Sequence, residues 1–70
     1  MKAYKFKLGT QVIVTKKDGS TLNGTITGLD VNLCTFKNEY YVRYFDNERN
    51  SEWTLLGVPE TAITLANINN

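Results

Sequence analysis

The chain contains no histidine, one cysteine (Cys34) and one proline (Pro59) in its 70 residues. Without histidine, and with a single thiol, it cannot form a Cys/His zinc site, a disulfide framework or a histidine-based catalytic triad. The spacing of its five glycines fits no phosphate-binding loop. We therefore expect no enzymatic activity, no metal site and no cofactor.

Long apolar runs are also missing, since the longest are Val12–Val14 and Leu55–Leu56. These runs are far too short to span a membrane, and residues 1–11 lack the apolar core of a signal peptide. A lone cysteine fits a reducing compartment. We therefore expect a cytoplasmic location and no membrane partner.

The chain does contain many apolar and aromatic residues. Hydrophobic residues make up 41% and include Trp53, four tyrosines and three phenylalanines, which argues against disorder. A chain of this length forms one small domain, residues 1–70. Within it, residues 1–8 are interpreted as a basic arm or a first strand, and residues 66–70 as a frayed tail.

Short β-prone segments separated by turn residues run along the chain. We predict five strands, at residues 11–15, 22–29, 39–45, 51–55 and 63–65. Asp18-Gly19 is a strong signal for the first hairpin turn. Gly24 is interpreted as a bulge or bend in the second strand, and residues 57–59 as the end of the fourth.

Two further segments connect these strands. Residues 30–38 have the composition of a loop, and their apolar side chains suggest that it folds back over an apolar surface. Pro59 to Thr61 is expected to begin a single helical turn before the last strand. With little helix and five short strands, the predicted fold is all-β, a small partly open barrel of the SH3 type.

The third predicted strand has the clearest alternation of faces. If Val42 points into the core, Tyr40 and Tyr44 share its face, and Tyr41, Arg43 and Phe45 lie on the opposite face. In the fourth strand, the alternation assigns Trp53 to the core as the largest filler of a small barrel.

Three stretches resemble the chromo-barrel and Tudor-like proteins. These are residues 39–44, residues 51–53 and residues 58–63, which are similar to a Tyr-Tyr-Val-His-Tyr strand, an Asp-Glu-Trp-Val strand and a Val-Pro-Glu-Ser stretch of that family. Residues 6–9 and 24–26 look like the first hairpin of the same barrels. The resemblance covers about residues 6–65 and implies the five-stranded barrel.

The resemblance does not extend to a methyl-lysine ligand. Family members that bind methylated lysine have aromatic residues in the turn before the Glu-Trp pair, whereas residues 46–50 contain none. Only Tyr44 matches a position of that aromatic cage. A fold alone does not determine a ligand, so the partner stays open.

Two functions follow from these residues. The first is a non-enzymatic module that binds another protein through an exposed strand face carrying Tyr41, Arg43 and Phe45, with Tyr44 beside it. Exposed aromatic residues next to an arginine are typical of an interface hot spot. A role as a small phage or bacterial accessory protein is compatible with this function, but no residue pattern indicates it.

The alternative is nucleic-acid binding through the amino-terminal lysines. Residues 1–17 contain five lysines and no acid, whereas the rest of the chain holds seven acids against three basic residues. The five are Lys2, Lys5, Lys7, Lys16 and Lys17. They would contact phosphates, with Tyr4 and Phe6 available to stack on bases. The sequence pI of about 7.8 lies below the basic range typical of nucleic-acid-binding domains.

Overall fold

The structure is a computed structural model that describes residues 3–66. These residues form one antiparallel sheet and a single 3-10 turn. In chain order the elements are β1 (Gln11–Thr15), β2 (Thr21–Val31), β3 (Asn38–Asp46), β4 (Ser51–Pro59), the 3-10 turn (Glu60–Ala62) and β5 (Ile63–Leu65). The prediction of an all-β domain with five strands is confirmed.

The strands lie in the order β4-β3-β2-β1-β5. Four consecutive strands therefore form an antiparallel meander, and β5 returns to pair with β1, with Val14 opposite Ile63. The outer strands β4 and β5 are not paired with each other within residues 3–66, so the sheet is not closed.

Several predicted boundaries agree with the structure. Residues 11–15 and 63–65 are strands, and Glu60–Ala62 is the expected helical turn. Gly19 has a φ of 90° in the turn between β1 and β2, where a residue without Cβ adopts this conformation without strain. The prediction that the fourth strand stops at residue 55 and that residues 57–59 break the ladder is wrong, because β4 continues to Pro59.

Two β-bulges lie opposite Tyr41, near the middle of β3. On one side Ile26 pairs with Val42 and Gly28 with Tyr41, so β2 has an extra residue, Thr27. On the other side, β4 places Leu56 and Gly57 opposite Tyr41, and Gly57 adopts the positive φ of 65° that such a bulge favours. The extra residues in β2 and β4 bend the sheet at this point. Beyond the bend, β4 stays paired with β3 as far as Pro59.

Beyond this bend, β2 and β3 separate. Their pairing ends at Thr25 opposite Arg43, although both strands continue. Residues 21–24 of β2 pair with β1, and residues 44–46 of β3 pair with β4. The end of the β3–β4 hairpin thus projects away from the β1–β2 hairpin.

The amino-terminal segment completes the core. Residues 3–10 form no strand, and Phe6 is only 4% exposed. The Phe6 and Tyr40 rings meet edge to face with their centroids 5.6 Å apart, and Tyr4 packs on Tyr40 in the same way at 5.8 Å. The core consists of Phe6, Val12, Val14, Ile26, Tyr40, Val42, Val58 and Ile63.

A buried hydroxyl group attaches this segment to the sheet. The Tyr40 hydroxyl accepts hydrogen bonds from the backbone N–H groups of Lys5 (3.0 Å) and Phe6 (3.2 Å) and donates one to the carboxylate of Glu60. Burial, followed by the bond to Glu60, raises the pKa of Tyr40. The bond from Tyr40 lowers the pKa of Glu60 below its ordinary value of 4.5. The neutral phenol and the charged carboxylate are therefore the forms that stabilise the fold.

Two expectations about the core are wrong. Trp53 lies on the same face as Tyr44 but is 45% exposed, because it belongs to the hairpin end that has left β2. The loop between β2 and β3 does not cover an apolar surface, since Leu33 and Phe36 are 78% and 71% exposed.

Candidate functional site

A cleft lies at the point where β2 and β3 separate. It has a volume of about 520 Å³, and residues 23–25 of β2 flank one side while residues 43–45 of β3 flank the other. Gln11, Val12, Ile13, Glu52 and Ala66 complete its lining. Ligand sites commonly enclose 300–1,000 Å³. The cleft is therefore large enough for two or three side chains of a partner.

Three of the predicted residues, Arg43, Tyr44 and Phe45, line this cleft. Phe45 is 52% exposed, so about half of its ring is available to a partner. Arg43 Nε lies 4.0 Å from Glu52 Oε1, and both side chains are largely exposed. Exposed ion pairs of this kind contribute at most about 1 kcal/mol, so either group can exchange its partner for a ligand.

Tyr41 is on the same face of β3 but does not line the cleft. Its ring packs over Gly28, and its hydroxyl donates a 3.0 Å hydrogen bond to Asp30 Oδ2. The hydrogen bond to Asp30 raises the pKa of Tyr41. The structure therefore separates Tyr41 from Arg43 and Phe45, although the sequence grouped the three.

The opposite face of the β3–β4 hairpin carries a second group of aromatic residues. Tyr44 is directly opposite Trp53 in the ladder. The guanidinium of Arg49 lies 4.6 Å from the centre of the Trp53 ring, and the indole N–H donates to Ser51 Oγ at 2.8 Å. Because Arg49 also bonds Asp46 in the turn (3.0 Å), these contacts order the end of the hairpin.

The lysines of the alternative function are spread over different parts of the chain. Lys7 precedes β1, whereas Lys16 and Lys17 follow it in the turn to β2. A five-residue strand spans about 17 Å, so these two groups lie at opposite ends of β1. Lys5 packs beside the Phe6 ring at 5.5 Å, and Lys2 lies outside the described residues.

The two aromatic residues expected to stack on bases have other contacts. Phe6 is buried in the core, and the hydroxyl of half-buried Tyr4 donates to the backbone oxygen of Asp30 at 2.8 Å. Phe6 therefore has no open face for base stacking, and the Tyr4 ring is packed on Tyr40.

Sequence reasoning missed several exposed apolar residues as binding candidates, among them Leu33, Phe36 and Trp53. Alternation assigned Trp53 to an inner face, and it does lie there, but that face is uncovered at this end of β4. The dense Asx and turn signals around residues 32–37 could have indicated an outward turn.

Comparison with known proteins gave no significant match to a family model, to a curated protein or to a solved structure. Within residues 3–66, no helix has the length and apolar character needed to span a membrane. Over the same range, no three metal-ligating side chains are grouped in a way that would hold a metal ion. The candidate site therefore rests on the geometry of the cleft and the β3–β4 hairpin.

Proposed function

We propose that this chain is a non-enzymatic protein-binding module that recognises its partner at the cleft, through Phe45 and Arg43. The observation that carries the proposal is the separation of β2 from β3 after the Thr25–Arg43 pair, which opens the cleft and exposes half of Phe45. Aromatic and arginine side chains are the residues most enriched at interface hot spots.

The unpaired strand segments favour an extended peptide as the ligand. Residues 23–24 of β2 and 44–45 of β3 line the cleft without pairing to each other, so backbone groups of both strands are available to a third segment. Addition of an extended segment to free strand edges is a common mode of peptide recognition. In this arrangement, Phe45 supplies an apolar contact and the Arg43–Glu52 pair supplies polar contacts at the rim.

We further propose that the sheet is a partly open barrel of the SH3-like type, as in chromo-barrel and Tudor-like proteins. The order β5-β1-β2-β3-β4, the bend at Tyr41 and the 3-10 turn before β5 support this interpretation. Unrelated functions share such folds, so the fold does not determine the ligand.

Charge near the cleft favours protein over nucleic acid. The basic Arg43 is accompanied by Glu52, and the end of the hairpin carries Asp46 and Glu48 against Arg49. A polyanion approaching the cleft would therefore meet acids as well as the arginine. The separated lysine groups at the two ends of β1 provide no continuous phosphate track.

Selection from a library of displayed random peptides tests the proposed function. We expect enriched peptides that bind wild type and Leu56→Ala but lose at least about tenfold in affinity with Phe45→Ala. Leu56 is the matched control because it is an equally apolar, exposed residue of β4, outside the cleft lining. Peptides whose binding is unaffected by Phe45→Ala would contradict the proposal.

The nucleic-acid alternative is tested by gel retardation of single- and double-stranded oligonucleotides at low and physiological salt. We expect no retardation at physiological salt. Retardation that is abolished by Lys16→Glu/Lys17→Glu would replace the protein-binding proposal with the alternative, because phosphate contacts give a steep dependence on salt.

A further inference from the structure

The loop between β2 and β3, residues 32–37, is held in one conformation by hydrogen bonds. The side chain of Asn32 accepts from the backbone N–H groups of Cys34 (2.9 Å) and Thr35 (3.2 Å) and donates to Glu39 (2.9 Å). Its backbone N–H and C=O close the loop through Lys37 (2.8 Å) and Phe36 (2.6 Å). We call this segment the apolar loop because it presents Leu33 and Phe36 to solvent.

Phe36 has a left-handed backbone conformation that is unusual for a phenylalanine. Its φ is 59°, in the left-handed region, where glycine or asparagine is the usual residue. The other non-glycine residue with positive φ in the described chain is Asn50, an asparagine. A phenylalanine here is strained in its backbone and leaves its ring 71% exposed. A glycine at this position would have neither the backbone strain nor the exposed ring. Stability therefore does not explain why the residue is a phenylalanine.

We propose that the apolar loop of one molecule inserts into the cleft of a second copy of the same chain, with Phe36 and Leu33 as the inserted side chains. This inference rests on the proposed function, because it names the partner that occupies the cleft. The apolar loop precedes Asn38 and the cleft begins at Arg43, so about 17 Å of β3 separates them. The loop therefore cannot reach the cleft of its own chain.

The cleft lining is mixed, and only part of it can receive apolar side chains. Ile13, Phe45 and Ala66 offer apolar contacts, Asn23, Thr25 and Gln11 are polar but uncharged, and Arg43 and Glu52 carry charge. Within the apolar loop the one charged side chain is Lys37, which can pair with Glu52 at the rim of the cleft. The formal net charge of the chain is only +1, so copies repel each other weakly.

Insertion of a loop into a cleft elsewhere on the next molecule is a head-to-tail contact. Such contacts build rings or open chains rather than two-fold dimers. The contact area of one loop and one cleft is small, so we expect a weak association that grows with concentration and continues beyond the dimer.

Sedimentation velocity over a wide concentration range tests this proposal with four forms of the full chain. We expect wild type and the control Leu56→Ala to associate alike, and Phe36→Gly and Phe45→Ser to associate at least about tenfold more weakly. Phe36→Gly relieves the strained φ, so its melting temperature should equal or exceed that of wild type. This keeps the loss of association separate from loss of folding.

The decisive measurement is an equimolar mixture of the two deficient variants. Phe36→Gly retains a cleft and Phe45→Ser retains an apolar loop, so together they should form a one-to-one complex and nothing larger. In that complex the exposed thiol of Cys34 in Phe45→Ser should react more slowly with a maleimide. A wild type that stays monomeric up to its solubility limit, or a mixture that forms no complex, would overturn the inference.

Failure of this inference and failure of the proposed function give different results. The peptide selection can be repeated on Phe36→Gly, which has no inserting side chain. Peptides that bind this variant through Phe45 would support the proposed function even if the chain is a monomer. Self-association that Phe36→Gly abolishes but Phe45→Ser does not would show that the loop binds a surface other than the cleft, and would refute the inference.

Discussion

Replacing Phe6 with alanine tests whether the amino-terminal segment is part of the core. Phe6 is 4% exposed and its ring meets Tyr40 edge to face. Truncation of a buried phenylalanine costs about 3–5 kcal/mol, which includes the lost ring contact and the cavity left behind. At about 0.05–0.15 kcal/mol per residue, the total free energy of unfolding is about 3–10 kcal/mol. Phe6→Ala should therefore remove at least about 30% of the stability.

The matched control is Leu8→Ala, two residues further along the same segment. Leu8 is exposed, so its truncation should change the free energy of unfolding by no more than about 0.5 kcal/mol. Urea denaturation followed by far-UV circular dichroism measures both values. Equal midpoints for Phe6→Ala and wild type would refute the assignment of this segment to the core.

Three further predictions concern the sheet and its buried hydroxyl. Gly24→Ala should lower the free energy of unfolding by about 1–3 kcal/mol in urea denaturation, because its Cβ would lie 2.7 Å from a backbone oxygen of β3. Gly28→Ala should cost less, because the half-buried Tyr41 ring that its Cβ would meet can move aside. Equal costs for the two variants would contradict this reasoning. Trp53→Ala should cost about 1 kcal/mol rather than the 3–5 kcal/mol of a buried aromatic residue, and melting curves would show a larger loss if the indole were core. The pKa of Glu60 is lowered in the folded state. Its contribution to the free energy of unfolding is therefore present above pH 4.5 and is lost as the pH falls through its pKa in the folded state. Glu60→Gln should flatten the decline of melting temperature below pH 4.5, and an unchanged slope would exclude Glu60 as its source.

Local signals in the sequence were sufficient for much of the sheet. The β-branched run of β1 and the Asp18-Gly19 turn predicted the first hairpin, because strand alternation and turn geometry depend on neighbouring residues alone. Alternation along β3 also assigned Arg43 and Phe45 correctly to one face. Together with Tyr44, these are the cleft residues that the sequence had also singled out.

The errors have a common physical cause, which is that burial depends on contacts between distant segments. Trp53 was assigned to the core because its face points inward, but that face is buried only as far as β2 stays paired with β3. No residue near Trp53 indicates where that pairing ends. The cleft and the exposure of Phe36 escaped prediction for the same reason.

The strand order also bears on the kinetics of folding. β1, β2, β3 and β4 pair with sequence neighbours through short turns, whereas β5 must return to β1 from about fifty residues away, as in the pair of Val14 with Ile63. Closing a chain segment of that length costs more entropy than closing a hairpin. We therefore expect the meander to be largely formed in the transition state, while β5 docks late. Destabilising substitutions in β5 should then accelerate unfolding and leave the folding rate nearly unchanged.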